Sequence, residues 1–260
     1  MTENAATNPS RSSRSPIRWA TDADLEAIHT WLIEEDAQEV PGNFLCNWSL
    51  LERAHHDGEL LVYVDGKTCL PVAFQLGMLI RPGILQVRYD YRGMGIGRKM
   101  VEHCIALAMG QDECLLFIEC KPSTSIPFWE QMGFALVENA SGKNCAYQVI
   151  EKSLQLPQQG VAAAVVIRFF PEERKWELTT KPYSVCSPQA MLAADGGVYL
   201  AQRVQFHKEA FPNVRDVVIE IEVNGTCRFR DKAKCEKACR MGVTSCTNGY
   251  YIDTIQALYL

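Results

Sequence analysis

The chain has 260 residues, 47% of them hydrophobic and 22% charged, with a formal net charge of −5. Those values fit a globular protein of one large or two ordinary domains, and the mild negative charge argues against general affinity for nucleic acid or anionic membrane. No apolar run approaches the ~20 residues that span a bilayer and no apolar h-region marks a secretory signal, so the chain is expected in the cytoplasm, off the membrane.

Residues 1–16 are rich in Ser, Asn, Thr and Ala, lack apolar periodicity, and read as a disordered tail. Ile17–Ala20 reads as a short strand. Thr21 or Asp22 then caps a helix with Leu25, Ile28, Trp31 and Leu32 on one face. That helix runs into an acidic cluster, Glu34, Glu35, Asp36 and Glu39, before Pro41-Gly42 breaks it. A second helix is predicted over Leu50–His55. Leu60–Val64 is a strand, Asp65-Gly66 a hairpin signal, and Leu70–Leu79 its return. Pro82-Gly83 turns the chain into a strand at Ile84–Val87. A glycine segment follows, then a helix through Met100, Val101, Cys104, Ile105 and Ala108 that closes near Gly110. Cys114–Cys120 is an apolar strand, Ser125–Gln131 a helix, and Ala135–Val137 and Tyr147–Ile150 close the sheet.

Pro157–Gly160 reads as part of a linker over 153–162. Beyond it the chain turns to strands: Ala164–Phe170, Val198–Phe206 and Asp216–Val223. Asn224-Gly225 is a two-residue hairpin turn, and Asp231–Met241 reads as a short charged helix. The 11 cysteines are scattered through apparent strands and helices, and free thiols in a reducing compartment are the expectation. Cys227, Cys235, Cys239 and Cys246 are separated by seven, three and six intervening residues, which is not the paired spacing of structural zinc. No metal is expected.

The chemistry concentrates in Arg92-Gly93-Met94-Gly95-Ile96-Gly97. A phosphate ester needs several hydrogen-bond donors and no side chains in the way. Glycines let the backbone approach closely, successive N–H groups make a concave nest for oxyanions, and a helix start adds free N–H groups and a positive dipole end. Arg98 and Lys99 add charge in the first turn. The dinucleotide fingerprint G-x-G-x-x-G would need a glycine where Arg98 stands, and no Walker loop occurs. What remains is R-x-x-G-x-G.

This hexapeptide resembles the coenzyme A loop of the GNAT family of N-acetyltransferases. The flanks agree. Leu85-Gln86-Val87 and Asp90-Tyr91 resemble the strand before that loop, and Ser125–Phe134, ending in Gly133-Phe134, resembles the family's late helix. The resemblance spans 17–152. It implies an α/β fold with a mixed, mostly antiparallel central sheet flanked by helices, followed at 163–260 by a smaller α+β domain that resembles nothing named. It also implies direct transfer of an acetyl group from acetyl-CoA to a primary amine of unstated identity. The pyrophosphate would lie on Arg92, Gly93, Met94, Gly95, Ile96, Gly97 and Arg98, and the pantetheine along Leu85, Gln86 and Val87. The Val87 N–H would polarise the thioester carbonyl.

In many members a tyrosine of the late helix protonates the leaving thiolate, and here that position holds Trp129. The indole ring reads as core packing beside Phe128. Glu119, at the end of an apolar strand, is the candidate base if burial raises its pKa. Glu34 and Glu35 sit where the family walls its acceptor site and would suit a cationic amine. Two functions therefore stand: an acetyltransferase, or a module that binds coenzyme A as a sensor or scaffold without turnover. The second domain could cover the acceptor site, bind a partner or form a homodimer interface.

Overall fold

The computed structural model describes residues 15–81, 83–138, 142–172, 180–208, 214 and 216–257. The expected tail at 1–16, except for its last two residues, and Pro82 of the expected turn lie outside them. The chain divides into two compact units, Met1–Leu76 with Ile84–Met100 and Gly77–Gly83 with Val101–Leu260.

The first unit opens with β1 (Ile17–Trp19) and α1 (Asp22–Ala37). Thr21 and Asp24 form a reciprocal capping box at the start of α1, and Arg18 forks onto the Asp24 carboxylate at 2.5 and 3.0 Å. α2 (Trp48–His56) follows. β2 (Leu60–Val64), β3 (Pro71–Leu76) and β4 (Leu85–Val87) complete an antiparallel sheet of order β1-β2-β3-β4. The helical spacing of Ile28, Trp31 and Leu32 lays them on Leu51, Leu60, Val62 and Phe74, all buried. Asp65-Gly66 does not form a two-residue turn. Asp65 accepts from the Thr68 and Cys69 N–H groups, and the loop runs to Leu70 before the ladder resumes. α3 (Ile96–Gly110) starts in this unit.

In the second unit, β5 (Leu115–Glu119), α4 (Ile126–Gln131), β6 (Ala135–Glu138) and β7 (Asn144–Val149) give a three-stranded antiparallel sheet of order β5-β7-β6. The rest is mostly strand: β8 (Val161–Pro171), β9 (Ser184–Cys186), β10 (Gln189–Leu192), β11 (Val198–His207), β12 (Val217–Val223) and β13 (Thr226–Lys232), then the five-residue α5 (Glu236–Arg240), β14 (Val243–Cys246) and β15 (Gly249–Ile255). They form an eight-stranded sheet, β13-β12-β8-β10-β11-β15-β14 with β9 also on β8. Ala163, Val165, Ile167 and Phe169 alternate inward along β8 and meet Phe206 and Ile219 in one core. Asn224 and Gly225 both have positive φ, 50° and 75°, so the β12–β13 turn is the mirror-image type expected of Asn-Gly. The helix predicted over Asp231–Met241 is shorter, because the β12 ladder holds the chain extended as far as Lys232.

The expected linker at 153–162 is partly strand-like. Ser153 bridges Gln202, Leu154 N–H donates to Ala201 C=O at 2.8 Å, and Arg203 N–H to Lys152 C=O at 2.9 Å. The compact unit therefore crosses this segment instead of ending there. Arg203, 5% exposed, sits at the seam. Its guanidinium grips Asp253 at 2.8 and 2.6 Å, reaches the Asp112 carboxylate at 3.1 Å and Asp112 C=O at 3.2 Å, and lies 3.7 Å from the Tyr251 ring centroid. Lys152 pairs with the same Asp112 carboxylate. Hydrogen bonds from Lys152 first, then from Arg203, outweigh desolvation and hold Asp112 below the usual carboxylate range. Arg203→Ala removes a buried cation from two carboxylates. It is expected to cost about 2–4 kcal/mol in chemical denaturation; a loss under ~0.5 kcal/mol would show that the seam does not depend on it.

Candidate functional site

The glycine segment begins where β4 ends. Arg88 N–H donates to Val72 C=O and Leu76 N–H to Ile84 C=O. In an antiparallel strand the backbone groups of alternate residues face the same side. Ile84, Gln86 and Arg88 therefore face β3, and Leu85 and Val87 turn their N–H and C=O groups to the free edge of the sheet. Val87 C=O accepts from Arg92 Nε at 3.0 Å on that edge. Arg92 also donates to Pro41 C=O at 3.1 Å and lies over Tyr89, so its guanidinium braces the turn.

Gly93 and Gly95 both have φ of 76°, and a Cβ built on either would meet nothing within 4 Å. The constraint there is conformational, since open space lies where the side chains would be. Residues 92–95 are exposed. At the start of α3, Lys99 N–H donates to Gly95 C=O at 3.2 Å. By position the N–H groups of Ile96, Gly97 and Arg98 have no acceptor within the helix. Beside the loop is a cavity of about 550 Å³ whose lining includes Tyr63, Lys67, Arg88, Tyr91, Met94 and Ile96.

Behind this turn is a buried carboxylate. Glu35, 5% exposed, accepts from Tyr89 N–H at 2.6 Å and Gln86 Nε2 at 3.0 Å, while Gln86 Oε1 accepts from Phe44 N–H at 3.0 Å. Glu35 thus joins the end of α1 to β4 and to the residues leading into the loop. Its place was readable: Ile28, Trp31, Leu32 and Glu35 follow the i, i+3, i+4, i+7 stripe of the buried face. The expected roles of three residues change accordingly. Glu35 holds the protein's own backbone and does not face an amine. Glu34 lies 3.5 Å from Arg88, whose cation offsets its charge. Gln86, expected along the pantetheine, turns its backbone to β3 and its side chain to Glu35.

Of these expected residues, the structure brings Leu85, Val87, Arg92, Gly93, Met94, Gly95, Ile96, Gly97 and Arg98 together on one edge and turn. In the second unit Glu119 binds Lys121 at 2.9 Å and Lys143 at 3.0 Å. Its candidacy as base required burial to raise its pKa; hydrogen bonds from Lys121, then Lys143, lower it instead. Trp129 is buried, edge-on to Phe128 and Phe134 with centroids 4.9 and 5.2 Å away.

Residues 26–136 match the sequence profile of the acetyltransferase (GNAT) domain. Solved structures similar to the chain include a GNAT-family acetyltransferase from Staphylococcus aureus Mu50, 14% identical, covering 52% of this chain and 98% of that one with a TM-score of 0.41. Another is the PaiA N-acetyltransferase from Thermoplasma acidophilum in complex with coenzyme A, 13% identical, covering 51% and 97%, TM-score 0.40. A third is the ribosomal-protein-alanine N-acetyltransferase from Brucella melitensis, 24% identical, covering 50% and 96%, TM-score 0.38. A comparison with curated proteins finds no match. Among the described residues, no group of three or more His, Cys, Asp or Glu could hold a metal ion, and no helix is long and apolar enough to cross a membrane.

Two measurements check this geometry. Glu35→Ala leaves the Tyr89 N–H and the Gln86 amide without their acceptor and is expected to cost about 1–3 kcal/mol in chemical denaturation, with Glu35→Gln milder; equal stability of Glu35→Ala and wild type would remove the carboxylate from this role. An NMR titration of Glu119 is expected to give a midpoint below that of a free glutamate. A folded pKa below the unfolded one means the pairing stabilises above the unfolded pKa and is lost as pH falls through the folded value. Lys121→Met should move the midpoint up; a midpoint already above the free value in wild type would restore Glu119 as a base.

Proposed function

We propose that the GNAT domain transfers an acetyl group from acetyl-CoA to a primary amine, which attacks the thioester directly in a ternary complex. The observation that carries this reading is the join of a free strand edge to an exposed anion nest. Leu85 and Val87 present backbone groups along β4, and Gly93 and Gly95 shape the turn whose next three N–H groups open α3. The pyrophosphate is assigned to residues 92–98 and the pantetheine to the backbone of Leu85 and Val87. The Val87 N–H donates to the thioester oxygen as negative charge develops there.

The amine nitrogen bonds to the carbonyl carbon, the carbon–sulfur bond breaks, and the amine gives up a proton. The amine must be neutral to attack. Glu119, paired with two lysines, is a poor proton acceptor, so the proton goes to solvent. The rate is then expected to rise with pH towards the amine's own pKa. Most of the acceleration comes from holding amine and thioester together.

A second reading is a module that binds coenzyme A without turnover. Trp129 favours it, because it is packed between aromatic rings and has no hydroxyl to protonate a thiolate.

Thiol release from acetyl-CoA with a panel of amines separates the two. Release that depends on an amine supports the transferase. Thermal stabilisation by acetyl-CoA with no release on any amine supports the binding module, and no stabilisation removes both. Gly95→Asp places a carboxylate in the nest and is expected to weaken acetyl-CoA binding about 100-fold or more. Unchanged affinity in a calorimetric titration would show that the turn is not the phosphate site.

A further inference from the structure

The tight turn between β14 and β15 meets the residues before β5 one by one. The Glu113 carboxylate accepts from the Thr247 N–H at 3.2 Å and the Thr247 hydroxyl at 2.6 Å. The Leu115 C=O accepts from the buried Asn248 Nδ2 at 3.1 Å, and the same amide donates to Ile80 C=O at 2.7 Å. Between these contacts stand Cys114 and Cys246. The Cys246 sulfur accepts from the Cys114 thiol and from the backbone N–H groups of Cys114 and Asn248. Cys114 is fully buried and Cys246 half-buried. The turn has no slack. Cys246 is in register with Gly249, where an added Cβ would fall 1.9 Å from the Phe206 carbonyl oxygen.

We infer that Cys114 and Cys246 are a site of reversible oxidation, closing to an intramolecular disulfide that staples the β14–β15 hairpin to the start of β5. The two positions are 132 apart in sequence, yet their thiols share a hydrogen bond and their neighbours on either side are already bonded. The flanking hydrogen bonds hold the two backbones side by side, which is where a disulfide must form.

The two thiols have separate parts. The hydrogen bond from Cys114 outweighs desolvation and the nearby Glu113 carboxylate and lowers the Cys246 pKa, with the two N–H groups adding to it. The same hydrogen bond, with burial, raises the Cys114 pKa, and Arg203 opposes that rise. Cys246, half-buried where Cys114 is fully buried, is the thiol an external disulfide can reach and so the attacking one, and Cys114 is the resolving thiol. With a low-molecular-weight disulfide as oxidant, the Cys246 sulfur attacks one of its sulfurs, the external S–S bond breaks and one small thiolate leaves. Cys114 then loses its proton to solvent and attacks the Cys246 sulfur of the mixed disulfide, releasing the second small thiol. Two protein thiols are oxidised as one small disulfide is reduced to two thiols.

The experiment incubates the full chain with glutathione disulfide near neutral pH, blocks remaining thiols and maps cysteine peptides. A Cys114–Cys246 cross-linked peptide is expected. So is a rise in melting temperature of about 5–15 °C that dithiothreitol reverses. Cys246→Ser, at a half-buried turn position, should lose both while melting close to the reduced wild type. Three results would overturn the inference: both cysteines recovered with blocked thiols after oxidation, Cys246 held only as a mixed disulfide with glutathione, or a cross-link joining either to a different cysteine. The readout separates this pair from Cys120 and Cys145, which lie close enough to affect one another.

Discussion

A single buried carboxylate sets the geometry on which the first unit's chemistry depends. Glu35 closes the apolar face of α1 and, where a hydrocarbon side chain would end that face, takes hydrogen bonds from Gln86 and from the N–H of Tyr89. Strand β4 is three residues long and pairs on one side only. It is short of ladder bonds, and an anchored side chain supplies what a longer strand would get from a second neighbour. Gln86 passes the tie on to Phe44, so helix, strand and following loop are registered by one polar chain in an apolar setting. Such a chain specifies geometry because each member is costly to leave unsatisfied.

The nest itself uses few charged groups. Arg92, the one arginine of the hexapeptide, binds backbone carbonyls, and the glycines contribute through positive φ. Donors fixed in the backbone need little reorganisation when a charged group arrives.

Much of the first unit was legible because its signals are local. The helical stripe of α1, the cap at Thr21, the spacing of the glycine segment, the strand before it and the helix after it all lie within short windows. The family resemblance added the expected order of elements up to Gly133-Phe134. The Asn224-Gly225 turn was likewise read from a dipeptide. What escaped depends on distant partners. Glu119 looked like a strand-end carboxylate able to titrate upward; Lys121 was visible two residues on, but Lys143 comes from just before β7, beyond α4 and β6. Arg203 drew no reading of its own within the strand expected at Val198–Phe206, because the shift of β11 register between Tyr199 and Val204 cannot be read from alternation. Strands β9, β10, β14 and β15 are short or mixed in pattern, and pairing rather than propensity makes them strands.

The short bridge at Ser153 bears on how the chain can be divided. Sequence composition invites a cut between 153 and 162, as if a catalytic module ended there and an accessory one began. The hydrogen bonds place that seam elsewhere. Asp112, Ile80 and Leu115 all find partners beyond residue 200. A chain stopped at the apparent linker would retain every residue of the matched family profile and still expose carbonyls and a carboxylate that the C-terminal strands normally cover. In this molecule the boundary of the recognisable family segment and the boundary of the compact unit are different lines, and a fragment chosen by the first would lack part of its own surface.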